Sequence, residues 1–418
     1  MTHFLPLAAA TLLLVGGLAA APAPAIESAS FEAYVPCVRI TPASPSHWFG
    51  YYDKFQTDPS DRYVLAMEVD FDQGSPSADD VIRLGMVDLA DGFHWTVFGE
   101  TRAWGWQQGC MLQWIPGSTS EVIYNDRQGQ QFVSIIQDVF TGRKRILPRA
   151  VYTLSPDGKR ALSVNFARID DTRPGYGYEG GVDPYAEDLH PKDDGIYLMD
   201  LETGESRLVV SLDQIASTGR VIAATEGKHW FNHLLFNTDG TRFEFLHRWY
   251  RRYPKAGGWA TRMFTSDLSG RDIWCVDPYG YTSHFIWRDA THILCWTRTP
   301  QHGDGYHLFT DKSDRVEILG RGVLTENGHM TYSPDGRWVL TDTYPDQDRM
   351  QKPMLYRPSD GKLVQLGRFW APPWASGEWR CDTHPRWSRD GKKVFIDSAH
   401  SGRRQVYMLD VSAIVSGS

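Results

Sequence analysis

The sequence predicts an all-β protein, a β-propeller of seven four-stranded antiparallel blades in one domain. Three observations carry that expectation. A unit built on a Pro-Asp-Gly-type turn recurs along nearly the whole chain, and in four copies a histidine and, three residues later, an aromatic precede the turn. Each turn leads into runs rich in Val, Ile, Phe, Tyr and Trp, the composition of short strands. The 418 residues also include 38 Gly and 24 Pro, which suit many tight connections between such strands.

The elements follow in order. The leader "MTHFLPLAAATLLLVGGLAAAPAPA" has an apolar core from Leu5 to Leu18 and ends in small residues. It reads as a signal peptide over residues 1–25, cut after Ala23 or Ala25. The mature chain, residues 26–418, is then periplasmic or secreted. No later apolar run approaches spanning length, so no membrane span is expected in the mature protein. The next run, "YVPCVRIT" (Tyr34–Thr41), is expected to close the ring. The chain ends on a third strand, "QVYMLDV", and a borrowed fourth strand would cover that open edge.

The repeated units begin with "KFQTDPSDRYVLAME" from Lys54, "CMLQWIPGSTSEVIYN" from Cys110 and "VYTLSPDGKRALSV" from Val151. Four more carry a histidine in register: "NHLLFNTDG" from Asn232, "SHFIWRDA" from Ser283, "GHMTYSPDG" from Gly328 and "THPRWSRDG" from Thr383. In these the aromatic is Phe236, Trp287, Tyr332 or Trp387. Second strands follow, as in "RFEFLH", "HILCWT", "RWVLTD" and "KVFIDS". A β-sandwich also uses short strands, but it does not repeat one motif across the chain. The stretch "NFARIDDTRPGYGYEGGVDPYAEDLHPKDD" lacks strand alternation and reads as a long, functional loop.

In a propeller the inner strands line a central channel, so a histidine repeated at one register becomes a cluster. His233, His284, His329 and His384 are expected to meet at the channel mouth. Neutral imidazoles converging on one point are natural ligands for a divalent transition metal. One of them can instead serve as a proton acceptor. Loops between second and third strands share that face and offer Arg248, Arg251, Arg252, Arg298, Arg403 and Arg404 as a basic rim. Guanidinium groups there suit carboxylate or sulfate recognition, and Trp249, Tyr250 and Tyr344 suit stacking on sugar rings. The stretch "HWFGYYDKFQTDPS" adds His47, Tyr51, Tyr52 and Lys54, the last in the histidine register. Trp106, Gln107 and Gln108 are offered to the same mouth.

A net charge of −8 argues against a nucleic-acid partner. Five scattered cysteines (Cys37, Cys110, Cys275, Cys295 and Cys381) contain no C-x-x-C pair, and their odd number leaves at least one thiol free. A monomer is expected.

The motifs "GYYDK", "NHLLFNTDG" with "EFLH", "SHFIW" and "GHMTYSPDGRWVLTDT" together resemble the oligogalacturonate lyases of polysaccharide lyase family 22. The resemblance implies a seven-bladed propeller that binds manganese through histidines and cleaves short pectin fragments. It implies His233 as the proton-abstracting base, His284 as a metal ligand and further ligands near His329. The family's additional histidine and glutamine before the "SPDG" turn are missing here, where Glu326 and Asn327 stand instead. The register of the repeat offers His384 as the replacement.

The expected chemistry is β-elimination on an anionic, uronic-acid-containing oligosaccharide. His233 takes the C5 proton, Arg248 or Arg298 clamps the carboxylate, and His284, His329 and His384 hold Mn2+. The leaving oxygen is protonated by water, Tyr51 or Tyr52. His47, Tyr51, Lys54, Arg298 and Arg403 bind substrate. A propeller glycoside hydrolase acting on uronide-linked sugars, or a noncatalytic carbohydrate- or protein-binding propeller, are the competing functions.

Overall fold

A computed structural model describes residue 1 and residues 31–218, 227–252 and 256–416. The expected leader lies outside the described residues. Eight antiparallel sheets build the propeller. Seven have four strands, running in chain order from an inner to an outer strand, or for the last sheet outward to a strand borrowed from the N-terminus.

The first sheet comprises Ser46–Trp48, Tyr63–Val69, Ile82–Asp88 and His94–Thr101. The next two have inner strands at Gln113–Trp114 and Thr153–Leu154. Three more start at His229–Phe236, Phe285–Trp287 and Thr331–Tyr332. The seventh starts at Arg386–Trp387 and takes its outer strand, Cys37–Arg39, from the N-terminal run, with Cys37 opposite Leu409.

The expected count of seven sheets is corrected by the eighth, which has three strands: Phe31–Ala33, Gly367–Trp370 and Met350–Gln351. These strands are short and carry neither the channel-facing residue nor the turn, so the repeat gave no sign of them. A second correction concerns the first unit. Its inner strand is Ser46–Trp48 rather than the run at Lys54, which falls in an irregular turn; only Thr57 bridges Val64.

The repeated turn has a local cause. In three units a serine hydroxyl donates to the aspartate two residues later, as in Ser155–Asp157, Ser333–Asp335 and Ser388–Asp390. The aspartate then accepts the backbone N–H two residues further on. The glycine between adopts φ values of +68° to +72° (Gly158, Gly336, Gly391), which L side chains avoid. Buried aromatic and aliphatic side chains fill the spaces between neighbouring sheets, with Trp48, Trp104 and Trp106 forming one such cluster. None of the five cysteines forms a disulfide with another.

One buried ion pair fastens the last sheet to the first. Arg386 Nη2 donates to Asp397 Oδ1 at 2.8 Å. Asp397 also accepts from the backbone N–H groups of Phe49 and Gly50 at 3.3 and 3.0 Å. Arg386 reaches back to Gln56 Oε1 at 2.9 Å and to the Gly50 carbonyl at 3.2 Å. Arg386→Met strands a buried carboxylate and should cost about 3–5 kcal/mol, read as a lowered urea midpoint.

The eighth sheet rests on an aromatic group made by Phe31, Phe369, Tyr407 and His400, with His400 4.4 Å from both Phe31 and Tyr407. Burial lowers the His400 pKa from 6.5 to about 4. The unfolded histidine takes up its proton near pH 6.5 and the folded one only near pH 4, so acidification through that window favours unfolding. Relative to His400→Phe, the natural protein should lose about 1.4 kcal/mol per pH unit across it. Denaturant titrations at several pH values would check that slope.

Candidate active site and metal centre

The histidine register does produce a cluster. His233 and His384 take left-handed backbone conformations, with φ of +53° and +39°. Met111, the residue in the same register three before Trp114, has φ of +57°. Such a residue breaks the strand's alternation. At His233 the pairing with the neighbouring strand is interrupted between Asn232 and Leu235.

His329 stands at the centre of the candidate metal-binding half, its ring 4.1 Å from that of His284 and 4.4 Å from that of His384. Tyr51 links this half to His233. It stacks on His233 at 5.0 Å and meets His384 edge-on, also at 5.0 Å. Tyr51 comes from the segment fixed by Asp397, where Gly50 has φ of +98° and a Cβ would crowd the backbone of Gln108 at 3.1 Å.

Anchors set which nitrogens face inward. Asn327 holds His284 Nδ1 at 3.0 Å, and Asp342 holds His329 Nδ1 at 3.0 Å. Asp342 also accepts the His329 backbone N–H at 2.7 Å. The Nε2 atoms of His329 and His384 are buried without a hydrogen-bond partner. Asp382 lies beside them, and one ligand atom from each of His329, Asp382 and His384 falls within 4.8 Å of the others. Two imidazoles and a carboxylate, with a carboxylate behind one ring, fit a divalent transition ion. His284 stands alongside, with Tyr344 Oη 3.4 Å from its Nε2.

Burial, reinforced by neighbouring histidines and arginines, pushes the pKa values of His233, His284 and His384 well below the usual imidazole range. These rings are therefore neutral near pH 7, as ligation and proton acceptance both require.

Around His233, Gln108 Nε2 lies 3.4 Å from Nδ1 and Tyr51 Oη 3.5 Å from Nε2. Tyr152 Oη donates to Gln108 Oε1 at 2.8 Å and accepts the His233 backbone N–H, also at 2.8 Å. Arg248 is 6% exposed, and its Nε and Nη1 have no hydrogen-bond partner among the described residues. Burial, with Arg173 nearby, lowers its pKa to about 10, so it remains charged at neutral pH. A buried guanidinium with free donors is an anion site.

The long loop read from sequence contributes Arg173 and Tyr176. Arg380 donates to Tyr176 Oη at 2.8 Å and to Asp382 at 2.7 Å. Arg173 lies 5.0 Å from the Tyr176 ring centre.

Other expected site residues go elsewhere. The Tyr52 hydroxyl donates to the Phe285 carbonyl at 2.9 Å and accepts its N–H at 3.1 Å. That hydroxyl has no proton to spare, so Tyr52 positions the strand bearing His284 rather than donating a proton. His47 sits in a separate buried pair with Glu68 at 2.9 Å. Arg298 is half exposed and bound to Asp304 at 2.7 Å, and Arg403 meets Asp72 at 3.3 Å. Lys54 pairs with Asp53 at 2.8 Å, 5.9 Å from the Tyr152 ring centre. Arg404 is buried over Trp106, and the Arg252 side chain lies outside the described residues.

Asp382, Tyr176 and Arg380 were not singled out by the sequence. Asp382 had a signal: an acidic residue two positions before a register histidine. The other two lie in irregular segments without a repeat.

Fold and site thus define a β-propeller with a histidine-carboxylate centre at its core. Solved structures share the fold. An oligogalacturonate lyase from Vibrio parahaemolyticus is 14% identical, with a TM-score of 0.62, over 91% of this chain and 96% of its own. A structure of oligogalacturonate lyase in complex with manganese gives 0.64 at the same identity and coverage. The β-propeller domain of Cps50 (Swd1) from Myceliophteria thermophila gives 0.51 at 13% identity, over 88% of this chain and 99% of that one. No protein-family model matches the sequence, and no curated protein matches it.

Calorimetric titration with Mn2+ should show one tight site. His329→Ala should abolish it, and Asp342→Asn, which loosens the ring behind the ligand atom, should weaken it about 10- to 100-fold.

Proposed function

We propose that the protein is a metal-assisted lyase that cleaves short uronic-acid-containing oligosaccharides by β-elimination. The observation that carries this reading is the pairing of a buried, neutral His233 with the buried, unpartnered Arg248, beside the His329–Asp382–His384 centre. The resemblance of the histidine motifs to oligogalacturonate lyases supports it, as does the shared fold.

The C5 hydrogen of a uronate is only weakly acidic, and its removal builds negative charge on the adjacent carboxylate. Arg248 offers an unbonded N–H to that group in a water-poor setting, where such contacts count most. A divalent ion held by His329, Asp382 and His384 would supply further positive charge to polarise the carboxylate. The lone pair of neutral His233 accepts the C5 proton. Its two existing contacts, at 3.4 and 3.5 Å, are long enough to yield to substrate. The C5–H electrons become the C4=C5 double bond, and the C4–O4 bond breaks. The leader places this activity outside the cytoplasm in the same proposal.

Ultraviolet absorbance of the conjugated product tests the chemistry on a panel of uronides. His233→Ala should lose on the order of 10²-fold or more in rate while keeping fold and metal content. Saturated products would instead indicate a hydrolase, and no product from any uronide would leave a binding role.

A further inference from the structure

Elimination of a sugar also needs a proton for the departing oxygen. Five tyrosines surround the histidines, and their hydroxyls are not equivalent. Tyr52 donates to Phe285 and Tyr152 to Gln108. Tyr51 faces a nitrogen of His233 and Tyr344 one of His284. Tyr176 differs: Arg380 donates to its oxygen at 2.8 Å, and its own O–H meets no acceptor among the described residues. Tyr176 is 4% exposed and edge-on to His233, with ring centres 5.5 Å apart and planes at 85°.

Resting on the lyase reading above, we propose that Tyr176 is the general acid, working from the same face of the sugar as His233. Two cations, Arg380 and Arg173, border its ring and would stabilise the phenolate left behind. Burial alone would raise its pKa, but Arg380 and Arg173 outweigh burial and hold it below the ordinary tyrosine value. Tyr51 and Tyr52, by contrast, are pushed well above it, chiefly by burial.

The step balances without another reactant. His233 gains the C5 proton, C4=C5 forms, C4–O4 breaks, and O4 takes the Tyr176 proton. Return of the proton from His233 to the phenolate resets the site.

The same geometry constrains the substrate. A sugar ring between two flanking groups needs two van der Waals layers, about 7–8 Å in total. The His233 and Tyr176 rings meet edge to face, 5.5 Å between centres, so no sugar ring slots between the two rings. Side chains packed against each other in this way reach the sugar from one side, the geometry of syn elimination. Uronates of gluco or manno configuration present H5 and O4 on one face, whereas galacturonate presents them on opposite faces. The site therefore selects 4-linked glucuronate or mannuronate units over galacturonate.

The test compares the metal-loaded natural protein with Tyr176→Phe on two leaving groups. One is a sugar at O4 of glucuronate or mannuronate; the other is a 4-nitrophenyl group, which leaves without help. Tyr176→Phe should lose on the order of 10²-fold or more on the sugar and under about tenfold on nitrophenyl, whereas His233→Ala should lose both. Equal losses on the two leaving groups, or none, would overturn the acid role while the lyase reading stands. Faster turnover of oligogalacturonate than of both other uronides would overturn the one-face geometry. An inert natural protein on every uronide would overturn the lyase reading, and this proposal with it. Unchanged thermal unfolding and Mn2+ content in Tyr176→Phe would show that its ring still packs.

Discussion

The Arg386–Asp397 pair is the contact on which the site depends. It lies at the join between the first and last sheets and fixes the backbone of Phe49 and Gly50. Tyr51 follows immediately, and its ring touches His233, His329 and His384. Ring closure and site assembly are therefore one event. A buried ion pair contributes little net stability when compared with apolar packing. Its use here is positional: both partners satisfy backbone groups that no strand ladder reaches.

The site also shows how burial can serve two chemistries. Three of the four imidazoles carry pKa values well below normal because water is excluded. The same exclusion that keeps their charge away makes Arg248 costly unless an anion meets it. Neutral imidazoles and a buried guanidinium thus lie close together. A carboxylate substrate is the natural partner for such an arrangement, because it satisfies the guanidinium without charging the rings.

Much of this was legible in the sequence, and the limits have physical causes. The histidine register located His233, His284, His329 and His384 because a repeat converts position along the chain into position around a ring. The closing strand was legible because the N-terminal run belonged to no repeated unit, and it pairs with the third strand of the last one. The eighth sheet was not, since two- to four-residue strands have no periodicity to read. Arg403 was placed on the correct kind of loop and Arg298 falls at the end of a strand beside one, yet carboxylates next to both took their donors. Sequence gives the loop but not the local partner. Tyr176 and Arg380 meet across 204 residues, between two irregular segments, and no pattern rule reaches that far.

The closure by Cys37–Arg39 and Asp397 has a consequence for the order of events in the cell. Tyr51 belongs to the early part of the chain, while the carboxylate that seats its neighbour is 347 residues later. A chain emerging from the ribosome cannot seat this segment until Asp397 has been made. A product cut short before Asp397 lacks the contact that seats Tyr51 among the histidines, so it loses the cluster as a whole rather than one member of it.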